Sequence, residues 1–287
     1  MTVFFIGVDE YLPLAQSLSE YLSDNLEIID EGEALTYPFD NEAIIYPNYF
    51  LGEKLEKELD GLDIICPLHE ISQRWNNKIF QYDRLSTKVP VPDYAVHENI
   101  FNLLKYLCRH RNRKMVITSP VGNCGSASML FTPETELSEV YKKYKEEKCQ
   151  FRTSNYIENS VGVAVNVVMT DDDEPFIAPI TQQKLKGLKY IGAFYPSTIS
   201  KEAQKKIINY SLKIADYMSG DFYVGLCGID YIVSGDEVYF SEVNPRKTGT
   251  AVAVSKMLSH SLSVIEYLII KGEELPEIKV KEFEWEI

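Results

Sequence analysis

Val89-Pro90-Val91-Pro92 divides this chain more sharply than any other feature. Two prolines at that spacing fix φ at both positions and push the residues before them into extended backbone. Neither a helix nor a central strand can run through such a stretch, so a boundary falls there. Before it, textures alternate. Residues 3–8 and 43–46 and the segment 63–66 are short apolar, β-branched or aromatic runs that read as buried strands. Leu12, Ala15, Leu18 and Leu22 recur at helical spacing, and residues 52–59 form a second helix. Strand–helix–strand alternation implies a mostly parallel sheet covered by helices. No GxGxxG follows the first strand, which argues against a dinucleotide site there.

Beyond the break the pattern is different. Residues 99–108 read as a helix, 114–118 as a strand, and the glycine-containing loop 121–128 leads to a strand at 128–131. Residues 151–157 and 161–170 are strands, with 176–180 returning as a hairpin partner. A long helix at 201–218 precedes two strands, 222–233 and 237–243, joined by Ser234-Gly235-Asp236, and 251–270 is helical. The 287 residues are 45% hydrophobic and 25% charged, as expected for a globular chain. With 43 acidic against 29 basic residues the net charge is −14, so nucleic acid is not an expected partner. The five cysteines are scattered, odd in number and free of CxxC pairs, which favours a reducing, cytoplasmic setting over zinc or disulfides. No apolar stretch approaches the ~20 residues that span a bilayer, so no membrane partner is expected.

The chemistry is concentrated in the last hairpin. Asp230 lies on its first strand, and Glu242 and Asn244 lie two apart on its second. Residues two apart on a strand share a face, so the turn can bring all three together. Two carboxylates and an amide oxygen are hard ligands suited to Mg²⁺ held with phosphates. Without a cation, carboxylates ~4 Å apart at an effective dielectric of ~20 repel by about 4 kcal/mol. A solvated hairpin face is the plainer reading of such residues. The continuation Asn244-Pro245-Arg246 adds a guanidinium beside them, which suits an anionic, phosphate-bearing intermediate.

Gly-x-Asp, a hairpin and then Glu-Val-Asn-Pro-Arg resemble the magnesium-binding end of the ATP-grasp ligases. The lead-in Asn76-Asn77-Lys78 to Val89-Pro90-Val91-Pro92 is similar to theirs, and the resemblance extends over most of the chain. It implies an α/β (α+β ATP-grasp) fold. A pre-ATP-grasp βαβ domain would span residues 1–92, a small lobe with the Gly-rich loop 93–154, and a large lobe with the metal hairpin 155–287. ATP would be the cofactor, with Mg²⁺ (or Mn²⁺) on Asp230, Glu242 and Asn244. Arg246 would hold the acyl phosphate or the attacked carboxylate. Lys184 is a candidate to reach the γ-phosphate, although a solvated loop lysine is an equal reading. Lys78 belongs to the lead-in helix. Gly122, Gly125 and Ser126 would cover the phosphates, with Cys124 as a small residue of that loop. Asn155, Tyr156, Ile157 and Glu158 would form the hinge that grips adenine. Where the resemblance implies a lysine before the loop proline, this chain has Ser119-Pro120, and Lys114 at the start of that strand is the candidate substitute. His69 is a weaker candidate for the substrate cleft, against a structural role. The implied reaction activates a small-molecule or peptide carboxylate as an acyl phosphate for an amine or thiol. Phosphorylation of another group, and a binding protein with a degenerate site, stay open, as does a homodimer.

Overall fold

The computed structural model describes residues 2–7, 9–47, 51–120, 127–170 and 174–286. Its strands gather into three sheets. The first contains β1 (Thr2–Ile6), β2 (Asn25–Ile29), β3 (Ala43–Pro47) and β4 (Asp63–Ile64) in the order β2-β1-β3-β4, all parallel. β1 and β3 are apolar on both faces because helices cover both, as a parallel sheet requires. The expected helices are present at Leu12–Leu22 and Glu53–Glu58. β2 was not expected; it is an edge strand with only Ile29 buried.

The second sheet holds β5 (Tyr94–His97), β6 (Met115–Thr118), β7 (Ser128–Phe131) and β8 (Phe151–Asn155), antiparallel in the order β5-β8-β6-β7. Met115, Ile117, Phe131 and Phe151 turn to the helices Ile100–Arg109 and Leu137–Tyr144 and form one core with them. Strand alternation sends Val116, Thr118, Arg152 and Ser154 to the opposite face.

The third sheet holds β9 (Val161–Met169), β10 (Phe176–Ile177), β11 (Thr181–Lys186), β12 (Lys189–Tyr195), β13 (Gly225–Ser234), β14 (Glu237–Asn244) and β15 (Phe283–Glu286). Its order is β14-β13-β9-β11-β12-β15, with β10 pairing β9. The segment 181–186, expected as a loop around Lys184, is a strand paired with β9 and β12. The helices Lys78–Leu85 and Lys201–Ser219 pack on this sheet through Tyr82, Leu85, Ile207, Ile214 and Met218. The expected C-terminal helix is two, Gly249–Met257 and Leu262–Ile270, which join the core of the parallel sheet. Among the described residues no helix is long and apolar enough to cross a membrane.

Candidate active site

β13 and β14 form the expected antiparallel hairpin, with Gly235 at φ 58° in the turn. Asp230 pairs directly with Glu242, and Gly228 with Asn244. The register slips after Asp230, because Tyr231 pairs with Phe240 and leaves Ser241 as a bulge. The bulge turns Ser241 to the same side as Glu242 and Asn244, and all three line one cleft with Asp230. Gly228 is required by close approach rather than by the turn. A Cβ there would lie 2.9 Å from Thr248 Cγ2, so glycine lets the chain after Arg246 fold back onto the hairpin.

The cleft has a volume of ≈ 500 Å³ and lies between the second and third sheets. Val116, Thr118, Ser128, Arg152 and Ser154 form one wall, and Asp230, Tyr231 and Ile232 face them. The size suits a nucleotide-sized ligand. A second hollow of ≈ 530 Å³ lies near Phe176, Tyr195 and Ile278, and among the described residues no carboxylate or cation lines it.

The electrostatics are concentrated at the hairpin. Lys78 Nζ lies 2.6 Å from Glu242 Oε2, and the lysine side chain is 5% exposed. Gln183 Nε2 donates to Asp230 Oδ1 at 3.0 Å, and Asn244 Nδ2 donates to Oδ2 at 3.2 Å. Burial, and then the charge of Glu242, push the Asp230 carboxyl up to about 7, against the pull of Lys78, Asn244 and Arg246. Burial acts upward on Glu242 as well, but Lys78, Arg152 and Arg246 outweigh it and hold that carboxyl below its ordinary value. Two half-buried carboxylates facing each other across a strand pair, one resisting ionisation, make a site that a divalent cation would relieve. The oxygen donor set, Asp230, Glu242 and the amide of Asn244, fits Mg²⁺.

The structure brings the candidates Lys78, Asp230, Glu242, Asn244 and Arg246 together in one cleft, which Asn155, Tyr156 and Ile157 also line. Asn155 is anchored there by N–H donation to Asp93 O at 2.8 Å, and Tyr156 N–H donates to Lys114 O at 3.1 Å. Four candidates, Lys184, Lys114, Glu158 and His69, lie outside the cleft lining. Lys184 sits between Gln183 and Leu185, which face the cleft, so alternation turns it away, where it pairs with Glu284 and Glu286 of β15. Lys114 precedes the outer end of β6, beside the hinge rather than the metal hairpin, and pairs with Glu158 at 2.7 Å. Glu158 is therefore committed to that rim pair and does not line the cleft. His69 is structural as well: it donates N–H to Glu56 Oε1, its Nδ1 lies 2.8 Å from Leu51 O, and it opens the helix His69–Trp75. Gly122, Cys124, Gly125 and Ser126 lie outside the described residues.

Sequence reasoning missed Arg152, Gln183 and Glu10, all of which line the cleft. The signal for Arg152 was a guanidinium in a short strand that begins with Phe151, two positions before Ser154 and on the same face.

Comparison with known proteins agrees with this geometry. A formate-dependent phosphoribosylglycinamide formyltransferase of Sulfurisphaera tokodaii is 24% identical over 236 residues, which is 79% of this chain and 58% of that protein. The chain thus spans little more than half the length of this curated relative. Among solved structures, biotin carboxylase of Campylobacter jejuni in complex with β-γ-ATP superposes with a TM-score of 0.78 at 13% identity, covering 97% of this chain and 73% of that one. The biotin carboxylase domain dimer of Hydrogenobacter thermophilus 2-oxoglutarate carboxylase, in complex with MgADP, ADP and bicarbonate, gives 0.75 at 14% identity, covering 96% and 70%. The likeness to both structures is one of fold. The ATP-grasp domain family matches residues 75–250, which take in the hairpin, the hinge and the lead-in helix and make up more than half of the chain, and the chain belongs to that family.

Proposed function

We propose that this protein is an ATP- and Mg²⁺-dependent ligase that activates a carboxylate as an acyl phosphate and passes the acyl group to an amine, or less often a thiol. The observation that carries this reading is the facing pair Asp230 and Glu242, backed by Lys78 and Arg246, in the same cleft as the hinge strand. The relative named for a formyltransferase and the neighbours named for biotin carboxylases lend support, because transfer of a carboxyl-level group needs an activated acid.

Asp230, Glu242 and Asn244 would hold Mg²⁺, which supplies charge neutralisation for the transferring phosphoryl group. Lys78 keeps Glu242 ionised and oriented, and Gln183 and Asn244 orient Asp230 by donating to its two oxygens. A substrate carboxylate oxygen attacks the γ-phosphorus, and the bond to the β-bridging oxygen breaks with ADP taking its electron pair. The nucleophile then adds to the acyl carbon, phosphate leaves with the C–O electron pair, and the nucleophile's proton passes to solvent or phosphate. Arg246 is only 9% exposed and stands at the cleft end beside Thr248, where it would neutralise the oxyanion that develops. Residues 1–92 would contribute the substrate side, and residues 93–154 and 155–287 the two lobes around the nucleotide. Glu10 reaches the cleft beside Gly249, where a Cβ on the glycine would lie 3.4 Å from its Oε1, so an amine-bearing substrate such as an amino acid or peptide suits that end.

Calorimetric titration with ATP, with and without Mg²⁺, tests the reading, followed by hydroxylamine trapping over a panel of carboxylic acids. Magnesium-dependent binding and an acid-dependent hydroxamate are expected. Phosphorylated product with no hydroxamate would favour phosphorylation of another group. Absence of nucleotide binding by the folded protein would favour a degenerate site.

A further inference from the structure

Arg152 is a buried cation that makes no ion pair among the described residues, although its charge acts on the nearby Glu242. The residue is 4% exposed and lines the cleft. Its guanidinium carbon lies 3.4 Å from the centre of the Tyr82 ring, and Nη1 donates to Lys78 O at 3.1 Å. Its Nε is buried and has no hydrogen-bond partner. No carboxylate among the described residues lies within ion-pair distance of it, and the neighbouring cation, Lys78, is already matched by Glu242. Buried charges are ordinarily paired, because desolvation costs several kcal/mol that only a counter-charge or strong hydrogen bonds offset. A guanidinium fixed on an aromatic face, with donors unused, is therefore pre-organised for an anion that arrives from outside.

The surroundings indicate which anion. Arg152 pairs with Thr118 of β6, which in turn pairs with Ser128 of β7, and the two hydroxyl oxygens lie 3.4 Å apart. Ser154 follows on the same face of β8. The wall is thus one cation ringed by hydroxyls, and its neighbours supply no second carboxylate. β8 runs directly on into the hinge, so Arg152 stands three residues, about 10 Å, from Asn155 along one strand. Arg246 and Thr248 line the same cleft from the segment after β14. Arg152 thus stands on the strand that leads into the hinge, bonded to Lys78 O and within electrostatic reach of Glu242.

We propose that Arg152 is the residue that binds the nucleotide's phosphate groups on the small-lobe wall, with Thr118 and Ser128 as supporting donors. The inference rests on the nucleotide reading of this cleft. It also explains how β6 can end in the uncharged Ser119 without leaving that wall short of a cation: the charge is supplied from the adjacent strand.

Titration of the full chain with adenosine, ADP and ATP, each with Mg²⁺, tests the proposal in the wild type, Arg152→Gln and Arg152→Lys. A lost charge-assisted hydrogen bond corresponds to roughly a 10- to 100-fold loss of affinity. Arg152→Gln is expected to lose that factor for ADP and ATP and to bind adenosine as the wild type does. Arg152→Lys, which keeps the charge and guards against a folding failure of the glutamine variant, is expected to fall between the two. Wild-type ADP affinity in a folded Arg152→Gln would overturn the proposal, as would parallel loss of adenosine and ADP, which would mark a purely structural residue. Unchanged ADP binding with lost hydroxamate formation would overturn it too, by assigning the anion to the acid substrate. Failure of the wild type to bind any of the three ligands would instead overturn the nucleotide reading itself.

Discussion

Lys247 and Glu266 form a buried pair that ties the residue next to Arg246 to the parallel sheet. Their side chains are 1% and 0% exposed, with Nζ to Oε2 at 3.8 Å. Lys247 also donates to Ile65 O at 3.2 Å and sits 4.0 Å above the Tyr46 ring. Glu266 accepts from Tyr46 OH at 3.2 Å and from Leu226 N–H at 2.8 Å. Lys247→Met keeps most of the buried stem and removes the charge. Burial already raises the Glu266 carboxyl above its ordinary 4.5, while Lys247, Leu226 and Tyr46 draw it back. Without Lys247 it rises further, and the share of the group that takes up a proton near neutral pH grows.

A carboxyl whose folded pKa is raised binds its proton more tightly when folded, so its burden on stability grows as pH climbs from 4.5 towards the folded value. Protonating it costs at most about 3 kcal/mol at pH 7 and under about 1 kcal/mol at pH 5. Breaking a buried pair from one side is measured at about 3–5 kcal/mol, a similar scale. At roughly 2–4 °C per kcal/mol, Lys247→Met should melt on the order of 10 °C below the wild type at pH 7 and only a few degrees below it at pH 5. Lys247→Met/Glu266→Gln should regain much of the loss, since the amide can still accept from Leu226 and donate to Tyr46. Thermal unfolding of the three proteins at both pH values measures this. An equal deficit at pH 5 and 7, or a double variant no more stable than the single one, would refute the electrostatic argument.

Other outcomes follow from the cleft. Glu242→Gln should remove the Mg²⁺ dependence of ATP binding and abolish turnover, with a smaller fall in melting temperature than Lys247→Met, because the amide oxygen can still accept from Lys78 and Asp230 is relieved of a neighbouring charge; calorimetry and unfolding scans check both. Arg246→Ala should lower the rate of hydroxamate formation far more than it weakens ATP binding, and equal losses would place Arg246 on the nucleotide itself. Gly228→Ala would set a methyl 2.9 Å from Thr248 Cγ2 and should destabilise the protein by about 1–3 kcal/mol, read as a lower melting temperature. Lys184→Ala should leave nucleotide affinity unchanged, since its partners are the exposed Glu284 and Glu286.

The hairpin was legible because its message is local. Carboxylates on otherwise apolar strands and a Ser-Gly-Asp turn mark the hairpin, but its register was not fully legible: counting back from the turn puts Asp230 opposite Ser241, and only the bulge at Ser241 brings Asp230 to Glu242. What could not be read is what depends on a neighbour. β2 and β5 are edge strands with little buried surface, so their apolar signal is weak; Ile28 is 54% exposed. Lys184 shows the limit most clearly. Whether residue 183 or 184 of β11 faces the cleft is a matter of one position, and a shift of one inverts the whole strand. Only pairing with β9 and β12 settles it, in favour of Gln183. Lys114 failed for a related reason: the strand was placed correctly, but which of its ends meets the hinge depends on β8.

Charge explains why these neighbours matter to function. The chain carries a net −14, yet the cleft is lined by three carboxylates, Glu10, Asp230 and Glu242, and three cations, Lys78, Arg152 and Arg246. An acidic body repels a polyanionic nucleotide, so binding requires the cleft to depart locally from the whole. It does so by position rather than by number. Lys78 is paired with Glu242, while Arg152 from β8 and Arg246 from the segment after β14 add their charges to the same cleft. On the proposed ligase reading, those two guanidiniums would offset the charge of a bound anion that the acidic body otherwise repels.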